Sequence, residues 1–126
     1  MYLTRTMKLL PGWQGRTDTH ETEMCGVFAG ETILPAHRVV RYVEGTCAAR
    51  SPFGKARFRG HEFHYSAVKL DPGTRYAYQL SRGEGIADSR DGAVVGNTLG
   101  SYTHLHPVAS AGMFRHFVGL CRTHQG

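Results

Sequence analysis

The sequence predicts an α/β fold that is strand-rich with a helix at each end, and three patterns carry that prediction. Alternating side chains run through His61 to Leu70 and again through Thr74 to Leu80, the period of two that marks strands. Leu3, Met7 and Leu10 stand at helical spacing before Pro11-Gly12. At the other end Phe114, Phe117, Val118 and Cys121 follow the spacing i, i+3, i+4, i+7 behind Ser110, a residue suited to an N-cap.

In chain order, Tyr2 to Leu10 reads as a short helix that opens without a cap or lead-in, as though cut from something longer. Trp13 to Glu23 is polar and turn-rich, a loop, and Met24 to Phe28 is a short strand closed by Gly30. His37 to Glu44 is expected as a strand ending at Gly45, and Ser51 to Arg59 as a basic connection. His61 to Leu70 then sets Phe63 and Tyr65 on one face and Glu62, His64 and Ser66 on the other. Asp71-Pro72-Gly73 is a strong turn signal, and Thr74 to Leu80 places Tyr76, Tyr78 and Leu80 together. Asp91-Gly92 is expected to turn a hairpin into Ala93-Val94-Val95, and Asn97 to Leu105 forms a further strand before the C-terminal helix, which should bury one face.

At 126 residues the chain fits one domain, residues 1–126, with no linker, repeat or low-complexity stretch. Hydrophobic content of 40% and charged content of 20% describe an ordinary globular protein rather than a disordered one. No apolar run suggests a membrane span or signal peptide, so the expected location is cytoplasmic and no membrane partner is called for. The net charge of +5 raises nucleic acid, but the basic residues are dispersed and match no binding module, so none is expected. Cys25, Cys47 and Cys121 lack any paired spacing and read as buried reduced thiols.

The chemistry gathers in Gly100-Ser101-Tyr102-Thr103-His104-Leu105-His106. On a strand, Tyr102, His104 and His106 would share a face, and histidine ordinarily titrates near ~6.5, which suits proton transfer at neutral pH. The pair also suits a structural role or, with His64, zinc ligation, although the usual ligand spacing is missing. Gly60-His61-Glu62-Phe63-His64-Tyr65-Ser66 is a second polar cluster, also readable as an exposed strand edge. Gly83-Glu84-Gly85 resembles a phosphate loop only superficially, since no Lys-Ser/Thr pair follows.

Together these two stretches, with Tyr2-Leu3-Thr4-Arg5 and Met24-Cys25-Gly26-Val27-Phe28 in the same order, resemble the C-terminal amidotransferase domain of cobyrinate a,c-diamide synthases from end to end. The resemblance implies the C-terminal part of a class I glutamine amidotransferase layered fold. In such enzymes a cysteine attacks the glutamine amide, and the histidine matching His104 acts as base and then acid, releasing ammonia. His106 falls at the orienting position, while Glu62, His64 and Tyr102 fall near the glutamine pocket or the domain interface. The family's nucleophile lies in a Gly-Glu-Cys-Gly-Gly elbow just before the segment matching Tyr2 to Leu10, and none of the three cysteines has that context. Residues 1–126 are therefore expected to be a fragment or split subunit, inactive alone, of a glutamine-hydrolysing ligase that amidates acetate side chains a and c. Its substrate would be cobyrinate or a related tetrapyrrole, held with ATP and Mg2+ by an absent synthetase domain. This chain itself would bind no cofactor and no metal. The rival reading is a non-catalytic interaction subunit that pairs with a separate synthetase chain.

Overall fold

A computed structural model of the chain describes residues 2–124. The described residues form β1 (Thr4–Leu9), β2 (His20–Glu23), β3 (Phe28–Leu34), β4 (Val39–Cys47) and β5 (Ala56–His64). They continue through β6 (Ala67–Leu70), β7 (Arg75–Arg82), β8 (Arg90–Val95), β9 (Thr98–Gly100), β10 (His104–Leu105) and α1 (Ala111–Thr123). The strand-rich α/β character and the C-terminal helix agree with the sequence reading. None of the described helices is long and apolar enough to cross a membrane.

The chain divides into two compact units, Met1–Val39 with Phe63–Thr74, and Val40–Glu62 with Arg75–Gly126. Because it passes between them within β4 and β5 and just before β7, no composition shift in the sequence marks the division.

The first unit holds a four-stranded sheet of order β2-β1-β3-β6. β1 runs parallel to β3 and antiparallel to β2, which corrects the expected N-terminal helix. The reason is tertiary. Thr4 is buried with its Oγ1 2.8 Å from Thr32 Oγ1, and a helix here would strip β3 of a neighbour. Leu3, Met7 and Leu10 meet the helical template by coincidence, while β-branched Thr4 and Thr6 favour the strand. Residues 24–27 lie outside any strand and Gly30 sits inside β3, a second correction. Polar His20–Glu23 is also a strand, because it needs only an edge beside β1. The Asp71-Pro72-Gly73 turn forms as expected, with the Thr74 amide donating to the Asp71 carbonyl at 3.2 Å.

The second unit holds a six-stranded sheet of order β10-β5-β4-β7-β8-β9. Its core is Val43, Cys47, Phe58, Ala77, Tyr78, Leu80 and Met113, with Leu99 and Leu105 packed against it. β4 does not stop at Gly45. The register shifts there against β7, and a Cβ at Gly45 would stand 2.8 Å from the Phe58 ring, so glycine serves close packing rather than termination. β5 begins at Ala56, inside the expected connection: Phe58, Gly60 and Glu62 face inward while Arg57, Arg59, His61 and Phe63 are exposed. The expected His61–Leu70 strand is two strands, β5 and β6, in different sheets. Asp91-Gly92 lies within β8, and the turn falls at Asp88-Ser89, both with positive φ (50° and 57°) and flanked by paired Ala87 and Arg90.

Ser110 occupies the N-cap position of α1, but its Oγ is buried without a hydrogen bond and caps nothing. Met113 alone among the helical residues is fully buried. Phe114, Phe117, Val118 and Leu120 remain 36–48% exposed, which corrects the expected buried face. The core direction set by Met113 is about 100° from that of the Phe114 stripe, one residue further along the helix.

Candidate active site

The exposed edge strand β10 carries His104, and three features hold its backbone in place: pairing with β5, the glycine at position 60 and the Asp91 carboxylate. Antiparallel pairing sets His104 opposite His61 and Leu105 opposite Gly60. Leu105 packs on the core, and the His106 amide donates to the Arg59 carbonyl at 3.0 Å. A side chain at Gly60 would collide with the His104 carbonyl and crowd Thr103 Cγ2, so the glycine is what lets β10 lie against β5.

The third feature is Asp91, fully buried on β8. Its carboxylate accepts from the Tyr102 amide (3.1 Å), the Thr103 amide (2.8 Å) and the Thr103 hydroxyl (2.6 Å). Thr103 is thereby buried beside the exposed His104. Tyr102 is half-buried in a bend and His106 follows the end of β10, so of the three residues expected on one strand face only His104 lies on the strand. Burial pushes the Asp91 carboxyl above the usual carboxylate range, opposed by its bonds to Thr103, Gly92 and Tyr102. Stability tied to that raised value is present below the unfolded aspartate pKa of about 3.9 and is lost as pH rises through the folded value. Urea midpoints should therefore fall with rising pH just above pH 4 more steeply in the wild type than in Asp91→Asn. Parallel curves would contradict this.

The His104 ring lies 4.9 Å from the His61 ring, centroid to centroid, tilted by 47°. Both side chains are exposed. His106 makes no hydrogen bond to His104 among the described residues. Its Nδ1 instead accepts the Ala109 amide at 3.4 Å, so the neutral ring carries its proton on Nε2 and shapes the turn leading to α1.

Glu62 and His64, adjacent in the motif, belong to different units. Glu62 is fully buried, and its Oε1 accepts the amides of Glu84 (3.0 Å) and Gly85 (3.1 Å). The Gly83-Glu84-Gly85 loop thus spends its amides on an internal carboxylate, the same nest-like chemistry that would otherwise hold an external anion. In the other unit, His64 Nδ1 donates to the Ser66 carbonyl at 3.0 Å.

Sequence reasoning missed His61, Gly60 and Asp91. His61 was visible in the motif, but only pairing identifies it as the partner of His104. Asp91-Gly92 carries a local turn signal, and no local signal ties Asp91 to Thr103.

Of the cysteines, Cys47 alone is buried, while Cys25 and Cys121 are exposed, correcting the expectation of three buried thiols. Burial pushes the Cys47 thiol up despite its contact with Ser51 Oγ at 2.8 Å, the reverse of what an activated nucleophile needs. Iodoacetamide should modify Cys25 and Cys121 in the native protein and Cys47 only in denaturant, as read by peptide mass spectrometry. Rapid native labelling of Cys47 would refute its burial. Among the described residues no group of three or more His, Cys, Asp or Glu side chains is arranged to hold a metal ion.

Comparison with known proteins places this geometry in context. The family model described as the CobB/CobQ-like glutamine amidotransferase domain matches residues 1–111. The chain is 43% identical over 119 residues to the cobyrinate a,c-diamide synthase of Methanosarcina acetivorans, covering 86% of this chain and 24% of that protein. It is 35% identical over 104 residues to the hydrogenobyrinate a,c-diamide synthase of Mycobacterium bovis, covering 79% of this chain and 22% of that one. It therefore spans about a quarter of the length of the curated relatives it matches.

Proposed function

The chain belongs to the CobB/CobQ-like glutamine amidotransferase domain family, and from that premise we propose that it serves the glutamine-hydrolysing step of an a,c-diamide synthase. His104 accepts the proton of a cysteine nucleophile as its sulfur attacks the side-chain amide carbon of glutamine. It then delivers that proton to the departing ammonia as the C–N bond breaks. Water hydrolyses the resulting thioester to glutamate, and the ammonia amidates acetate side chains a and c of cobyrinate or a related tetrapyrrole.

One observation carries this reading. The His104 backbone is fixed by β5 on one side and by Asp91 through Thr103 on the other, while its ring stays exposed on an edge strand. A proton-transfer residue needs both a fixed position and an open approach. His106 supports it by shaping the turn that follows, Tyr102 through the hydrogen bond its backbone N–H donates to Asp91, and Glu62 by holding the 83–85 loop.

The reading draws the nucleophile from sequence outside residues 1–126, because Cys47 is buried and Cys25 and Cys121 lie outside any strand-to-helix elbow. We place neither ATP nor Mg2+ on the Gly83-Glu84-Gly85 segment, whose Glu84 and Gly85 amides are bonded to Glu62. We assign their use, and the binding of the tetrapyrrole, to the rest of the synthase or to a separate synthetase chain.

The test substitutes this chain for the matching segment of a full-length a,c-diamide synthase. The chimera is expected to form diamide with either glutamine or ammonium as nitrogen source, whereas residues 1–126 alone release no ammonia from glutamine. Activity with ammonium only would overturn the proposal.

A further inference from the structure

Strand pairing fixes the backbone of His104 and leaves its ring free to turn. An exposed histidine has three staggered wells about χ1 and two broad orientations about χ2, about six combinations in all. Proton transfer needs one of them, because a reacting group that swings among several is in place only part of the time. Something beside the ring must select it.

The polar groups nearest in the chain are engaged elsewhere. The Asp91 carboxylate is buried and bonded to Tyr102 and Thr103. The His106 ring takes the Ala109 amide. Glu62 lies on the buried side of β5 and holds the 83–85 loop. Among the described residues the His104 ring makes no hydrogen bond and no ion pair, and its one ring contact is with His61.

That contact is well founded. His61 and His104 are directly opposite in the β5–β10 register, the closest relation two side chains on neighbouring strands can have. Their centroids are 4.9 Å apart with the planes tilted by 47°, inside the range of about 4.5–7 Å at which aromatic rings pack. β5 is paired on both sides, to β10 and to β4, so His61 stands on a firmer strand than the edge residue it faces.

We infer that His61 is a positioning residue, whose ring is the wall that holds the His104 imidazole in a single rotamer. It acts as a flat aromatic surface and neither takes nor gives the proton. The inference rests on the proton-transfer role proposed for His104 and adds to it what orients the ring.

Two substitutions in the assembled synthase test it, with glutaminase kcat and KM, ammonium-dependent amidation and the χ1 couplings of a selectively labelled His104 as readouts. His61→Ala is expected to lower kcat by about 3- to 6-fold, as the released ring spreads over its rotamers, with KM and ammonium-dependent amidation unaltered and the His104 couplings averaged. His61→Phe keeps the wall without its nitrogens, and is expected to keep both the wild-type kcat and the single-rotamer couplings. A general disturbance of the sheet would not separate these two variants. His61→Phe as impaired as His61→Ala, or His104 couplings that do not change in His61→Ala, overturns the inference. Full glutaminase activity in His104→Ala overturns the proton-transfer reading beneath it instead, and the couplings then still decide whether His61 holds the ring.

Discussion

His104→Ala in the assembled synthase should lower glutamine-dependent amidation by at least about 100-fold, the usual contribution of a positioned acid–base group, while amidation from added ammonium persists. The structure gives that expectation a specific form. His104 is exposed and its side chain supports no core contact, so the substitution should leave the sheet intact. What it removes is the imidazole beside His61 and, in the mechanism proposed above, the route for the proton from the nucleophile to ammonia. Ammonium supplied from solution bypasses that route. Diamide yields from glutamine and from ammonium, measured in parallel, decide the matter, and loss of both activities to the same degree would remove His104 from the proton-transfer role.

The second large effect is expected from Gly60→Ala, one methyl group added on the strand next to β10, against the backbone and not the ring of His104. The new Cβ would overlap the His104 carbonyl, a backbone atom that cannot rotate away, so β10 must lift from β5. Overpacking of this kind costs about 1–3 kcal/mol, read as a lower thermal midpoint. Displacement of β10 also breaks the bond from the His106 amide to the Arg59 carbonyl, so hydrogen exchange at the His106 amide should accelerate and glutamine-dependent amidation should fall with it. Unchanged exchange at His106 would mean that Gly60 does not set the position of β10.

Several parts of this arrangement were legible without the structure. The turn at Asp71-Pro72-Gly73 rests on local chemistry, a Pro that presets φ and a Gly at φ +90°, and forms where expected. β7 announces itself through alternating Tyr76, Tyr78 and Leu80. The inward set of β5 was hidden by Arg57 and Arg59, whose charges made a strand resemble a connection, while its true pattern of Phe58, Gly60 and Glu62 contains only one hydrophobic side chain. The burial of Glu62, whose carboxylate accepts the Glu84 and Gly85 amides, is a long-range feature that no local pattern reveals.

The sequence by itself determined the strand-rich α/β class, the family and the C-terminal helix. Those follow from periodicity, turn residues and motif order, all local or nearly so. Tertiary structure alone decided that Thr4–Leu9 is a strand, that Glu62 and His64 fall in separate units, and that Gly60 and Asp91 hold His104 in place. In each case the deciding contact joins residues 12 or more positions apart, as Thr4 meets Thr32, Glu62 meets Glu84 and Asp91 meets Thr103. Local propensities differ by less than about 1 kcal/mol per residue. Pairing a buried polar group is worth as much or more, so the distant partner settles what the neighbouring residues leave open.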